Sequence, residues 1–269
     1  MKVESVSSAH PVSDEMRSTV LANLEALERQ HGVTVLFACE SGSRGWGFAS
    51  PDSDYDVRFV YVNRLAWYLT VEPGRDVIEQ PINGELDING WDLRKTLQLL
   101  HDSNPTLLEW LRSPIVYRQE ADWVARLRTL AEESFSPVRG YHHYVSMARK
   151  NLREHLYGDV VRYKKYLYVL RPLLAARWIR QGRGVPPMRF AELANQTLTD
   201  RAVLDELNAL LEVKMRAGES ATSPRWAGLH DFIKAELAEA MSHTPDKGPR
   251  VDGRRLDQYL NEAVLHFDA

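Results

Sequence analysis

Two strand-like apolar runs on either side of a polar turn constrain the fold of this chain more than any other feature. The runs cover residues 33–39 and 57–62, and both are rich in the β-branched and aromatic residues that strands favour. Between them, residues 42–56 read GSRGWGFASPDSDYD, in which Gly, Ser and Asp are concentrated. Polar residues of this kind between two strands indicate a functional site.

The turn carries two acidic residues at the entry to the second strand, Asp54 and Asp56. Because side chains alternate between the faces of a strand, both carboxylates leave the same face. They repel each other unless a cation lies between them, and Mg²⁺ typically binds one or two carboxylates together with substrate phosphates. Upstream, Gly42, Ser43 and Arg44 offer phosphate-binding groups at a helix start. The segment therefore predicts a nucleotide site with Mg²⁺ or Mn²⁺ as cofactor.

The turn has two other interpretations. Asp52, Asp54 and Asp56 have the spacing of a calcium-binding loop, but Val57 stands where that loop needs Gly and Asn63 where it needs a bidentate Glu. The alternative is a plain surface turn, because Ser-Pro-Asp-Ser-Asp is ordinary turn chemistry.

A two-metal site needs a further carboxylate, usually from a neighbouring strand. Asp87, in a predicted strand over residues 85–91, fits this requirement best. Asp92 is the rival, although capping of a predicted helix over residues 92–100 also explains it.

The order of these features (strand, Gly-Ser, Arg, Ser-Asp-x-Asp, strand) resembles the DNA-polymerase-beta-like nucleotidyltransferase superfamily. The resemblance implies that Gly42 and Ser43 hold the phosphates of an NTP and that Asp54 and Asp56 hold metal ions. It implies an α+β fold, in which an N-terminal mixed sheet with flanking helices precedes an all-helical C-terminal domain. We expect the catalytic domain at residues 1–135 and the helical domain at 136–269.

Further stretches resemble one branch of that superfamily, the RlaP family of RNA-repair nucleotidyltransferases. They read LDINGWDLRK from residue 86, NPTLLEWL from residue 104 and KKYLYVLRP from residue 164. The resemblance implies a role in RNA repair.

Local charge also points to nucleic acid. The net charge is −3, yet residues 139–184 contain eleven Lys and Arg against two acidic residues. Within a predicted helix over residues 160–181, Lys164, Tyr168 and Arg171 lie on one face with Lys165 adjacent. We interpret these residues as a surface for the triphosphate or the RNA backbone. The alternative is a solvated helix face whose Tyr packs into the core.

Other helices are predicted from apolar spacing and capping residues. They cover residues 13–31, 104–111, 122–133, 190–196, 202–217, 225–241 and 254–266, and a helix from residue 141 and a short strand at 77–78 are also expected.

Composition excludes several classes of protein. The one cysteine, Cys39, allows no intramolecular disulfide, and no apolar run reaches the roughly 18 residues of a membrane span. Residues 1–16 lack the apolar core of a signal peptide, so we expect a cytoplasmic protein that does not bind membranes. Adjacent helical residues point about 100° apart, so His142 and His143 do not predict a zinc site.

Together these features predict an enzyme that transfers a nucleoside monophosphate from an NTP to an acceptor hydroxyl, with RNA as the first choice of acceptor. One alternative is a small-molecule or protein acceptor, as in antibiotic-modifying or toxin-like relatives of the superfamily. Another is a non-catalytic module that binds nucleotides or RNA.

Overall fold

The computed structural model of the protein describes residues 2–3, 10–158, 160–216, 221–243, 245–246, 248 and 252–268. The chain divides into two units. The sheet unit comprises Pro11–Gly42, Asp54–Phe135 and Pro249–Ala269, and the helical unit comprises Met1–His10, Ser43–Ser53 and Ser136–Gly248. These units place residues 1–10, 43–53 and 249–269 differently from the domains 1–135 and 136–269, which stay a prediction.

The strands of the sheet unit are β1 (Thr34–Glu40), β2 (Tyr55–Val62), β3 (Val77–Glu79), β4 (Leu86–Asp92) and β5 (Val116–Gln119). They form a mixed sheet in the order β3-β4-β2-β1-β5. β2 and β4 run parallel, whereas the other neighbours are antiparallel. The first four strands confirm the sequence predictions, and β5 was not predicted.

The helices of the sheet unit are α1 (Asp14–His31), α3 (Leu65–Tyr68), α4 (Leu93–His101), α5 (Pro105–Leu111), α6 (Ala121–Glu133) and α12 (Gly253–Phe267). The short helix α2 (Gly42–Trp46) begins at the last residue of a sheet-unit segment. The C-terminal helix α12 is held against α6, where the Tyr259 hydroxyl donates to the Trp123 carbonyl at 2.9 Å.

Helix α1 shows how the sequence specifies the sheet unit. Ser13 caps its first turn by accepting a hydrogen bond from the Met16 N–H, and Gly32 ends it in the left-handed conformation at φ +64°, which glycine adopts without strain. The apolar face of α1, with Leu24 fully buried, packs into the core of the sheet unit. Each such buried side chain contributes about 1.5–3 kcal/mol.

The helical unit contains α7 (Pro137–His155), α8 (Tyr163–Arg180), α9 (Phe190–Thr197), α10 (Arg201–Arg216) and α11 (Ala227–Ser242). Most of α8 is buried, and it forms the core helix of the unit. Arg177 and Arg180 of α8 bind the buried carboxylate of Glu236 at 3.2 and 3.0 Å. The α+β class with a helical C-terminal portion is therefore confirmed.

One part of the helical prediction was wrong. The sequence predicted a helix from residue 160, but Val160–Arg162 is a strand, β6, paired antiparallel with β7 (Thr222–Pro224). The partner lies far along the chain, and long-range pairing of this kind overrides a local helical pattern. Ala217, the last residue of another predicted helix, lies outside the described residues.

Candidate active site

Two of the predicted carboxylates are brought together by the parallel pairing of β2 and β4. Asp56 is the register partner of Asp87, and register partners on neighbouring strands present their side chains on the same face. The side chains are 28% and 32% exposed, so both carboxylates lie at the surface of the sheet.

An arginine that the sequence interpretation missed lies between these carboxylates. The Nη2 atom of Arg58 donates to Asp56 Oδ1 at 2.8 Å and to Asp87 Oδ2 at 2.7 Å. Its Nη1 atom donates to the carbonyls of Val57 and Asp87, both at 3.0 Å. A period of two along β2 was the available signal, because it places residue 58 on the same face as residue 56.

Gly42 is required by the close approach of the backbone to Asp56. It has φ +55°, and a Cβ atom added there would lie 1.9 Å from Asp56 Oδ2. A hydrogen bond from the Ser41 N–H to the Asp56 carbonyl, at 2.8 Å, ties the same two segments together. No side chain fits at residue 42 without displacing the carboxylate.

A buried glutamate, also missed from sequence, supports Asp56 from β1. Glu40 is fully buried, and its Oε1 atom accepts a hydrogen bond from the Asp56 N–H at 2.8 Å. Its other oxygen accepts from the Tyr117 hydroxyl of β5. Glu40 thereby fixes the backbone at the entry to β2.

Cys39 and the two other candidate carboxylates, Asp54 and Asp92, have different surroundings. Burial, and next the charge of Glu40, raise the pKa of the Cys39 thiol, so the thiol stays protonated. Asp54 is exposed just before β2. The Asp92 carboxylate is fully buried, caps α4 through the Arg94 N–H at 2.8 Å and accepts from the Tyr68 hydroxyl at 2.7 Å. The structure places Asp87, and not Asp92, beside Asp56.

The carboxylate pair offers the oxygen ligands that Mg²⁺ prefers. Among the residues with described positions, no group of three or more His, Cys, Asp or Glu side chains forms a metal cluster. Mg²⁺ nevertheless binds through one or two protein carboxylates and completes its shell with water and phosphate oxygens. The oxygens of Asp56 and Asp87 fit that donor set, with Asp54 two residues upstream.

In the helical unit, the segment Ser43–Ser53 is held by two buried cations. The guanidinium of Arg44 donates to the carbonyls of Ser53 at 2.7 Å and His10 at 3.0 Å. These contacts give Arg44 a structural role, and its contact with phosphate stays a prediction. Lys214 of α10, to which the sequence assigns no role, donates to the Phe48 carbonyl at 2.8 Å.

Lys165, near the start of α8, lies beside two aromatic rings. The Nζ atom of Lys165 is 3.2 Å from His155 Nε2 and 5.3 Å from the centre of the Tyr168 ring. Burial and the Lys165 charge lower the pKa of His155. The Tyr168 ring packs edge-on against Trp46, with centroids 5.3 Å apart. Lys164, Lys165 and Tyr168 are half-buried.

The exposed positive charge of the basic segment lies mainly outside α8. Arg171, predicted to share the stripe of Lys164 and Tyr168, is buried over the Trp46 ring. By contrast, Arg149, Lys150 and Arg153 are exposed on α7. No described helix has both the length and the apolar character to span a bilayer.

A mixed sheet with paired aspartates beside a Gly-Ser turn is the arrangement of polymerase-beta-like nucleotidyltransferases. The chain belongs to the RlaP family, an RNA repair pathway DNA polymerase beta family, whose family model matches residues 16–262.

The chain is also similar to two individual proteins. The uncharacterized protein YcgL of Bacillus subtilis (strain 168) is 43% identical over 251 residues, which cover 93% of this chain and 96% of that protein. A solved nucleotidyltransferase-like protein from Exiguobacterium sibiricum 255-15 is 13% identical, with a TM-score of 0.31 over 93% of this chain and 76% of the other.

Proposed function

We propose that the protein transfers a nucleoside monophosphate from an NTP to a hydroxyl group of RNA and releases pyrophosphate. The observation that carries the proposal is the register pairing of Asp56 with Asp87, with Gly42 packed against the Asp56 carboxylate. Membership of an RNA repair pathway family supports both the reaction class and the acceptor.

The proposed reaction is an in-line displacement at the α-phosphorus. The acceptor oxygen forms a bond to this phosphorus, the bond from the phosphorus to the bridging oxygen of the β-phosphate breaks, and the hydroxyl proton passes to solvent. Mg²⁺ or Mn²⁺, when bound, supplies Lewis-acid stabilisation of the developing charge. Asp54, Asp56 and Asp87 supply the carboxylates that would hold it, and Gly42 and Ser43 position the phosphates.

The helical unit offers groups suited to RNA. Arg149, Lys150 and Arg153 present positive charge on α7, and such charges bind the phosphate backbone. Near the start of α8, Lys165 lies over the half-buried ring of Tyr168. Cationic and aromatic side chains together bind single-stranded nucleic acid through phosphate contact and base stacking.

The test is incorporation of label from α-labelled NTPs into a pool of short RNAs with Mg²⁺ or Mn²⁺. Asp56→Asn should lower incorporation by about a hundredfold or more, because it removes a carboxylate ligand of the metal ion that would stabilise the reacting phosphate. The matched control is Asp122→Asn, the same chemical change at an exposed position in the first turn of α6, and it should retain full incorporation.

Three other outcomes of the incorporation assay would change the proposal. Incorporation that survives Asp56→Asn would contradict the carboxylate assignment. Label that appears in a small molecule or a protein, but not in RNA, would replace the acceptor. Tight NTP or RNA binding without any transfer would favour a binding module.

A further inference from the structure

The guanidinium of Arg58 occupies the position between two carboxylates at which a cation is required. One nitrogen, Nη2, contacts both Asp56 Oδ1 and Asp87 Oδ2. Two carboxylates on neighbouring strands of one sheet face repel each other, and a positive charge shared between them offsets this repulsion. Arg58 is therefore a counter-charge for both carboxylates of the pair.

This arrangement differs from an ordinary surface ion pair. The Arg58 side chain is 17% exposed, and its second nitrogen, Nη1, is anchored by the carbonyls of Val57 and Asp87. A guanidinium held in a planar fork loses less conformational entropy for each hydrogen bond than a flexible lysine does. The contacts with both carboxylates are charge-assisted, which makes them shorter and stronger than neutral hydrogen bonds.

We propose that Arg58 is a resident cation that holds Asp56 and Asp87 together and competes with the divalent ion for their oxygens. The inference rests on the proposed function, because it takes these aspartates as metal ligands. A metal ion that binds Asp56 Oδ1 or Asp87 Oδ2 takes an oxygen that Arg58 now contacts. Arg58 consequently lowers the metal affinity of the free protein, and it preserves the geometry of the pair until the metal ion binds.

The proposed competition predicts that Mn²⁺ affinity increases when the Arg58 guanidinium is removed. A hydrogen bond to a charged group contributes about 1.5–3 kcal/mol, and every 1.4 kcal/mol is a tenfold change in affinity. Removal of the guanidinium should thus tighten Mn²⁺ binding by about ten- to a hundredfold. Arg58→Gln keeps amide donors without the charge and should show the same direction of change. Arg58→Lys keeps the charge and should stay closer to wild type.

The experiment measures Mn²⁺ binding to the full-length protein by the electron paramagnetic resonance signal of free Mn²⁺, without nucleotide. Thermal unfolding in EDTA and in saturating Mn²⁺ is recorded for the same samples. Arg58→Ala should unfold at a lower temperature than wild type in EDTA. Its unfolding temperature should rise more than that of wild type when Mn²⁺ is added. Arg29→Ala is the matched control, because Arg29 on α1 is 72% exposed in a surface ion pair with Glu25, and it should behave as wild type.

The outcomes separate this inference from the proposed function. Equal or weaker Mn²⁺ binding in both Arg58→Ala and Arg58→Gln overturns the competition, even where the wild-type protein transfers nucleotide. Tighter binding in these variants supports it, even where the wild type transfers nothing and the proposed function fails. Absence of Mn²⁺ binding in every variant overturns the inference, and the incorporation assay decides the function independently.

Discussion

At Gly42 the backbone passes so close to Asp56 that a methyl group has no space. We predict that Gly42→Ala lowers the free energy of unfolding by about 1–3 kcal/mol through backbone strain alone, because φ is +55°. Displacement of the Asp56 carboxylate by the new Cβ atom should also abolish nucleotide transfer. Urea unfolding and the incorporation assay measure the two effects.

The sheet unit contains a matched control for this substitution. Gly84 has φ +62°, but a Cβ atom added there would meet nothing within 4 Å. Gly84→Ala should therefore show the cost of the left-handed conformation without the collision, and it should retain transfer. Equal activity of the two variants would contradict the role assigned to Gly42.

The choice between Asp87 and Asp92 gives a second prediction. Asp87→Asn should lower transfer by about a hundredfold or more, because it removes one of the carboxylates that would hold the metal ion. Asp92→Asn should retain transfer within about threefold, because Asn caps a helix as well as Asp does and Asp92 contacts Arg94 and Tyr68 instead of the pair. Initial rates of transfer at saturating NTP distinguish the two residues. Greater loss of activity in Asp92→Asn than in Asp87→Asn would assign the third carboxylate to Asp92.

Sequence alone predicted the paired carboxylates, whose role as metal ligands stays a prediction, but not the residues that contact them. Asp56 and Asp87 were found from strand period and from the need for a third ligand. Arg58 was missed because its role depends on the register of β2 against β4, although its period-two spacing was visible. Glu40 was missed because its partner Tyr117 lies 77 residues further along the chain, and no local pattern links the two.

At the scale of elements, a buried lysine of α10 holds the segment Ser43–Ser53 together with Arg44. Lys214 is 3% exposed, and besides the Phe48 carbonyl it donates to the hydroxyls of Ser50 at 3.2 Å and Ser53 at 3.4 Å. A positive charge and three oxygen acceptors thus fix a segment that begins with the predicted phosphate-binding residue Ser43.

We predict that Lys214→Met lowers the free energy of unfolding by about 1–3 kcal/mol, because the buried Phe48 carbonyl loses its donor. Amide hydrogen exchange in residues 43–53 should become faster, and the KM for NTP should rise more than kcat falls. Lys234→Met, at an exposed position of α11, should change stability by less than about 0.5 kcal/mol. Unchanged exchange in Lys214→Met would show that other contacts hold the segment.

Elements whose signals are local were predicted, and elements that depend on distant pairing were not. Helix α1 carries its own cap at Ser13 and its own stop at Gly32. Strand β5 has four residues, and its strand character comes from pairing with β1. Strand β6 likewise exists because it pairs with β7, so its sequence alone resembles the start of the helix that follows.

At the scale of the whole molecule, charge is distributed unevenly along an acidic chain. The net charge is −3, but buried contacts use part of the positive charge of the segment 139–184, as at Arg171. The exposed remainder includes Arg149 and Lys150 on α7. Any RNA affinity of the protein should therefore come from a few exposed residues, and not from its overall charge.

This distribution predicts how RNA binding depends on salt. For single-stranded RNA, the logarithm of the association constant should fall linearly with the logarithm of salt concentration, with a slope of about 0.7 for each phosphate contact. Arg149→Ala and Lys150→Ala should each reduce that slope by about 0.7, because each removes one counterion-releasing contact. Lys234→Ala, which removes an exposed charge outside the segment, should leave the slope unchanged. Fluorescence anisotropy with a labelled oligonucleotide measures the slopes, and a salt-independent affinity would remove α7 from the RNA-binding surface.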